Sequence, residues 1–233
     1  MAKKFKVKKR FNLPDKILLW LSFLLKKHPK IINLNDGGLP EKCIMLGNHN
    51  GAGGPFNYRA FMKGRWMSWG AHQMCENFRS RRKYLYHIFY RQKLGFGKFR
   101  SRVMSVILGF FAPWIYHCAG IIPVYFDSRI LLTYKYSMAC LEQDVRVFVF
   151  PEDSDNGYKE IIEKMWPGFL QLAKLHYKRA GTDLPIYTLR YNPKPKRIVI
   201  GKPMYYRELA KEHTDDEILQ IFTDYMNSLK EIS

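Results

Sequence analysis

Cys43-Ile44-Met45-Leu46-Gly47-Asn48-His49-Asn50-Gly51-Ala52-Gly53-Gly54-Pro55 passes from an unbroken apolar run, through a loop of small residues holding one histidine, to a proline. The run 43–47 does not alternate, so it reads as a central strand covered on both faces. Pro55 suits the first position of a helix, where the N–H that proline lacks would have no partner anyway. Strand, tight loop and helix are the repeating unit of an α/β fold. The same pattern recurs downstream. Runs 120–125, 145–150, 185–190 and 197–201 read as further strands. Helices are predicted over 55–64, over 167–179 and from Thr214 onward. Pro167 opens the second of these, and Ala180-Gly181 stops it. Thr214-Asp215-Asp216-Glu217 forms a capping box for the third, and Ile218, Ile221, Phe222, Tyr225, Met226 and Leu229 then make one core-packing stripe. The expected fold is α/β, with a mixed, largely parallel central sheet flanked by helices.

With 233 residues the chain can bury one good core, and 47% hydrophobic content excludes intrinsic disorder. Charge is the unusual feature: 39 Lys plus Arg against 20 Asp plus Glu give +19. That excess calls for an anionic partner. Residues 1–30 hold ten of the cations and residues 59–102 hold twelve, each stretch with one acid. Both stretches are rich in large apolar side chains, as suits a lipid interface. Residues 1–30 are read as a basic amphipathic membrane-contact segment, and 31–233 as a single domain. The run 17–25 is too short to span a bilayer. Residues 103–126 contain no charged side chain, but Pro113, Gly120 and Pro123 interrupt them. They read as a buried or half-immersed helix followed by a core strand. Four cysteines without CxxC spacing read as reduced, mostly buried thiols. No helix-turn-helix, zinc finger or RNA-binding sheet motif accompanies the charge, so no nucleic-acid partner is expected.

The chemistry concentrates at His49. In open α/β sheets, ligands gather beyond the carboxyl ends of the strands. The amino terminus of the following helix favours a neutral imidazole, the form a general base needs. Gly51, Gly53 and Gly54 would let backbone amides line either an anion nest or an oxyanion site.

Further blocks follow in order: Gly120-Ile121-Ile122-Pro123-Val124, Phe150-Pro151-Glu152-Asp153-Ser154-Asp155, Gly168-Phe169 with Ala173, Leu184-Pro185-Ile186-Tyr187, and Ile200-Gly201-Lys202-Pro203. With Asn48-His49, they resemble the lysophospholipid acyltransferase family, the glycerol-phosphate and 1-acylglycerol-3-phosphate acyltransferases. The resemblance implies transfer of a fatty acyl group from acyl-CoA or acyl-carrier protein to a lipid acceptor, with no cofactor and no metal. It implies action at the cytoplasmic face of an anionic membrane surface, as a peripheral or monotopic protein. His49 would be the general base, with Glu152 beside it. Asn48, Asn50, Gly53, Gly54, Arg129, Pro151 and Asp153 would line the substrates. Three positions depart from the family pattern. Gly54 stands where the motif aspartate belongs, and Phe126 and Asp155 stand near the places of phosphate-binding arginines. Glu152, Asp153, Asp127 or Asp155 could supply the missing carboxylate, or a backbone carbonyl could fix the tautomer. Alternatively the chain is a catalytically degenerate lipid-binding relative. The acidic run 152–155 favours a cationic or uncharged acceptor headgroup over lysophosphatidate.

Overall fold

The computed structural model describes Val7, residues 28–50 and residues 53–232. Most of the segment assigned to membrane contact, together with Gly51 and Ala52, therefore lies outside the described residues. Among the described residues seven strands form one sheet. In chain order the elements are β1 (Lys30–Asn33), β2 (Ile44–Gly47), α1 (Gly53–Phe61), β3 (Trp66–Ala71), α2 (Phe78–Tyr84), a π-helical run Leu85–Lys93, α3 (Lys98–Ala119) and β4 (Ile121–Val124). Then follow α4 (Ile130–Leu141), β5 (Arg146–Val149), α5 (Gly168–Ala180), β6 (Pro185–Asn192), β7 (Arg197–Tyr205), a single turn α6 (Tyr206–Leu209) and α7 (Asp215–Ser228). The strand order is β1-β7-β6-β2-β5-β3-β4, and every neighbouring pair is parallel except β6 with β7. The sheet is thus mixed and largely parallel, as expected. All five anticipated strands form, and β1 and β3 join them.

The apolar runs that did not alternate are buried on both faces. On one face Ile44, Leu46, Val147 and Ile186 meet Phe169 and Leu172 of α5 and Phe222 and Met226 of α7. On the other, Met45, Phe148 and Leu189 meet Tyr58 of α1 and Trp66. The stripe of α7 is core packing, and its cap forms as read: Glu217 Oε2 accepts the Thr214 N–H at 2.7 Å, while Thr214 Oγ1 accepts the Glu217 N–H at 3.4 Å. Thr214→Ala is expected to cost about 1 kcal/mol. Urea unfolding should show it as a lower midpoint at unchanged slope.

Residues 103–126 do form a helix followed by a strand, but the helix is neither wholly buried nor regular. Four of its buried positions, Ser101, Ser105, Gly109 and Ala112, are small, and Met104, Leu108 and Tyr116 pack beside them against the core. Pro113 has no N–H, which leaves the Gly109 carbonyl without its helical partner. Arg81 of α2 fills that gap, its Nε donating to Gly109 O at 2.9 Å. All four cysteines are free, with Cys43, Cys118 and Cys140 buried and Cys75 at the surface. Burial pushes the Cys43 and Cys140 thiols up to about 12, which keeps them protonated and unreactive at neutral pH.

Candidate active site

Because β2, β5 and β3 are adjacent and parallel, their carboxyl ends open onto one edge. β2 delivers Asn48 and His49 to that edge, and β5 delivers Phe150, Pro151 and Glu152. His49 is partly exposed as a residue. It stacks on Tyr158, with centroids 4.7 Å apart and planes 24° from parallel, and tilts against Phe150 at 5.2 Å. Glu152 Oε2 accepts the His49 backbone N–H at 3.1 Å. The Lys159 backbone N–H also favours the charged form of this carboxyl. Glu152 therefore ties the histidine loop to the turn that carries Tyr158. Burial holds its carboxyl above the ordinary range, and those two N–H groups, Arg190 and Lys93 oppose the shift.

Gly53 and Gly54, the described glycines that lead into α1, do not offer their amides outward. The Gly53 N–H donates to Asn50 O at 3.2 Å and the Gly54 N–H to His49 O at 3.0 Å, with Asn50 at φ +40°. The expected nest of Gly53 and Gly54 amides is thus spent on closing the turn. Gly54 is also pressed against backbone: a Cβ there would lie 2.4 Å from Asn48 O and 2.6 Å from His49 O. The position that would carry the motif aspartate has no room for a side chain in this loop.

Asn48 belongs to the scaffold. Its Oδ1 accepts from Tyr58 Oη at 2.7 Å and from the Tyr191 N–H at 2.8 Å, and its Nδ2 donates to Tyr191 O at 3.0 Å. It fastens the end of β2 to the end of β6 through both its carbonyl oxygen and its NH2 group. Pro151 is buried, and its carbonyl accepts the Trp166 N–H at 2.7 Å. The Asp153 N–H donates to Lys164 O at 2.9 Å, and its Oδ1 accepts the Asp155 N–H at 3.2 Å, so Asp153 shapes its own loop. Arg129 stands at the carboxyl end of β4, where it forks onto Asp127, with its Nη2 at 2.7 Å, and lies over the Tyr125 ring at 4.5 Å. That fork holds the Asp127 carboxyl down to about 2. Arg129 also approaches Glu76, which in turn lies 3.6 Å from His72 Nε2. Of the carboxylates weighed as partners, Glu152 bonds His49 through the backbone.

Sequence reasoning missed Lys93 and Tyr158. Lys93 ends the π-helical run, a conformation often found at functional sites. Its Nζ donates to Ser154 Oγ at 2.7 Å and lies 5.9 Å from the Tyr158 ring centroid. Burial lowers its pKa, while Asp155, Asp153 and Glu152 pull it back up. A cation therefore sits among the acids of 152–155, and the charge of that loop is not purely negative. Nothing in the local sequence around Lys93 distinguishes it from the other cations of the basic stretch 59–102. Among the described residues no group of three or more His, Cys, Asp or Glu gathers to hold a metal ion. No protein-family model and no curated protein matches this chain, so the acyltransferase resemblance rests on its own residues.

Proposed function

We infer that this chain is a membrane-surface acyltransferase in which His49 is the general base. The observation that carries the reading is a partly exposed histidine at the carboxyl edge of the central parallel strands, with a buried carboxylate behind its backbone and a lysine beside the ring it stacks on. In the reaction, an acceptor O–H or N–H gives its proton to His49. The freed lone pair forms the new C–O or C–N bond at the thioester carbonyl of acyl-CoA or acyl-carrier protein. Collapse of the tetrahedral adduct breaks the C–S bond, and the proton on His49 passes to the leaving thiolate. Glu152 holds the base in place. Lys93 supplies positive charge next to the acidic loop, so that loop does not by itself select a cationic headgroup.

The test is direct. Purified full-length protein is given both donors and a panel of lysolipid, amine-lipid and sugar-lipid acceptors in mixed micelles, and acylated products are read by mass spectrometry. Failure with every donor and acceptor pair would sink the reading. The inward-turned amides of Gly53 and Gly54 favour one alternative, a lipid-binding relative that has lost its chemistry. That protein would bind vesicles and transfer nothing. If transfer occurs, Lys93→Met is expected to slow it on the order of tenfold or more, through loss of a charged hydrogen-bond donor. Lys93→Arg should restore part of the rate. Equal rates for wild type and Lys93→Met would leave the lysine a packing role only.

A further inference from the structure

We propose that the outward face of α3 docks on an anionic lipid bilayer, lying in the plane of the interface rather than crossing it. The proposal shares the membrane location argued above but does not depend on any chemistry at His49.

Helix α3 is apolar on its outward side as well as its inward one. A helix on a water-facing surface turns its large apolar side chains inward. Here the buried positions Ser101, Ser105, Gly109 and Ala112 are small, Met104, Leu108 and Tyr116 pack inward only in part, and a Cβ on Gly109 would already sit 3.4 Å from the Phe78 ring. The outward residues Phe99, Val103, Ile107, Phe110, Phe111 and Trp114 are 41–82% exposed. Their spacing of three and four places them along one stripe of the helix. An apolar stripe of this length is an interaction surface.

Charge identifies what covers it. Arg79, Arg82, Lys83, Lys98, Arg100 and Arg102 are exposed on α2 and the start of α3, and no acid occurs anywhere between Asn77 and Arg102. A second copy would bring two such clusters together and be repelled, whereas anionic headgroups would neutralise them. Orientation follows from the same residues. With 22 residues and little charge, α3 could cross a bilayer by length and composition alone. Its inner side, however, is joined to α2 through the Arg81 to Gly109 bond. Crossing would drag the cations of α2 into hydrocarbon, at a cost no partner there offsets. Lying flat, the rings enter the acyl boundary while the cations stay among phosphates. Because β3 and β4 are parallel neighbours, α3 begins on the sheet edge that carries His49, which brings that edge toward the lipid.

The experiment uses the full chain with vesicles of phosphatidylcholine containing about 30 mol% phosphatidylglycerol. Wild type should float with these vesicles and only weakly with pure phosphatidylcholine. The double variant Phe110→Asp/Phe111→Asp changes two exposed side chains, so circular dichroism should match wild type. Its partitioning should fall at least tenfold per ring, roughly. Undiminished binding would overturn the proposal and move attachment to another segment. A dimer dissolved by the same variant would assign the face to a second copy instead, and bound protein that resists alkaline carbonate would refute the flat orientation. Acyl transfer to detergent-dispersed acceptors reports separately on His49, so failure of the docking face and failure of the enzymatic reading are told apart.

Discussion

Replacing His49 with alanine is expected to lower acyl transfer by ~10²–10⁴-fold, the usual contribution of a positioned general base. The expectation rests on the His49 imidazole standing where β2 and β5 end, with its ring against Tyr158 and Phe150. Alanine keeps the backbone N–H that Glu152 accepts, so the loop stays tied down and the loss can be assigned to the ring. Vesicle flotation should be unchanged, which separates lost chemistry from lost attachment. Transfer surviving at wild-type rate would end the case for His49 as base. Glu152→Gln provides a second comparison, because its amide oxygen can still accept the His49 N–H without charge. If the carboxylate also steadies the imidazolium, this variant should be on the order of tenfold slower. The same change has a signature in stability. Burial raises the Glu152 carboxyl, so the folded chain takes up this proton at a higher pH than the unfolded chain does. The ionised group therefore costs stability, and that cost grows as pH climbs from the ordinary carboxylate range through the raised one. Glu152→Gln should flatten this part of the curve of stability against pH. A curve identical to wild type would mean that Glu152 is not the group being titrated.

The fold was legible wherever a strand is buried on both faces. Ile44–Gly47 and Arg146–Val149 are covered at every position, and continuous apolar runs announce that condition. β1 was not legible because Lys30–Asn33 is a four-residue edge strand that keeps exposed and polar positions. β3 was hidden for another reason. Trp66–Ala71 carries Ser68 and Gly70 inside the basic stretch, which breaks the apolar run although Ser68 is buried. At the site, strand, loop and helix placed His49 correctly, since only order along the chain was needed. The inward turn of the Gly53 and Gly54 amides was out of reach, because glycine permits either direction and sequence does not choose between them. Lys93 was unreadable on similar grounds. It meets Ser154 from 61 positions away, and only the π-helical run and the packing of α3 bring the two together.

Gly54→Asp, the substitution that would install the family's carboxylate, is expected to damage the protein rather than awaken it. The obstacle is main chain: the new Cβ would stand 2.4 Å from Asn48 O and 2.6 Å from His49 O, and no flexible side chain can swing aside to relieve that. Relief requires opening the first turn of α1, which breaks the Gly54 N–H bond to His49 O. It also displaces Asn48, whose amide locks β2 to Tyr58 and Tyr191. A strained close contact together with a loosened buried polar network amounts to ~3 kcal/mol or more, which calorimetry would read as a drop of several degrees in Tm. Gly53→Ala is the control, because its Cβ would meet nothing closer than Tyr191 Cε1 at 3.7 Å, an ordinary contact. That variant should stay within about 1 kcal/mol of wild type. The informative surprise would be Gly54→Asp with unchanged Tm and faster acyl transfer. It would mean that the loop opens at little cost and that a His–Asp pair can be seated, and the tight turn around His49 would then be one of two accessible states.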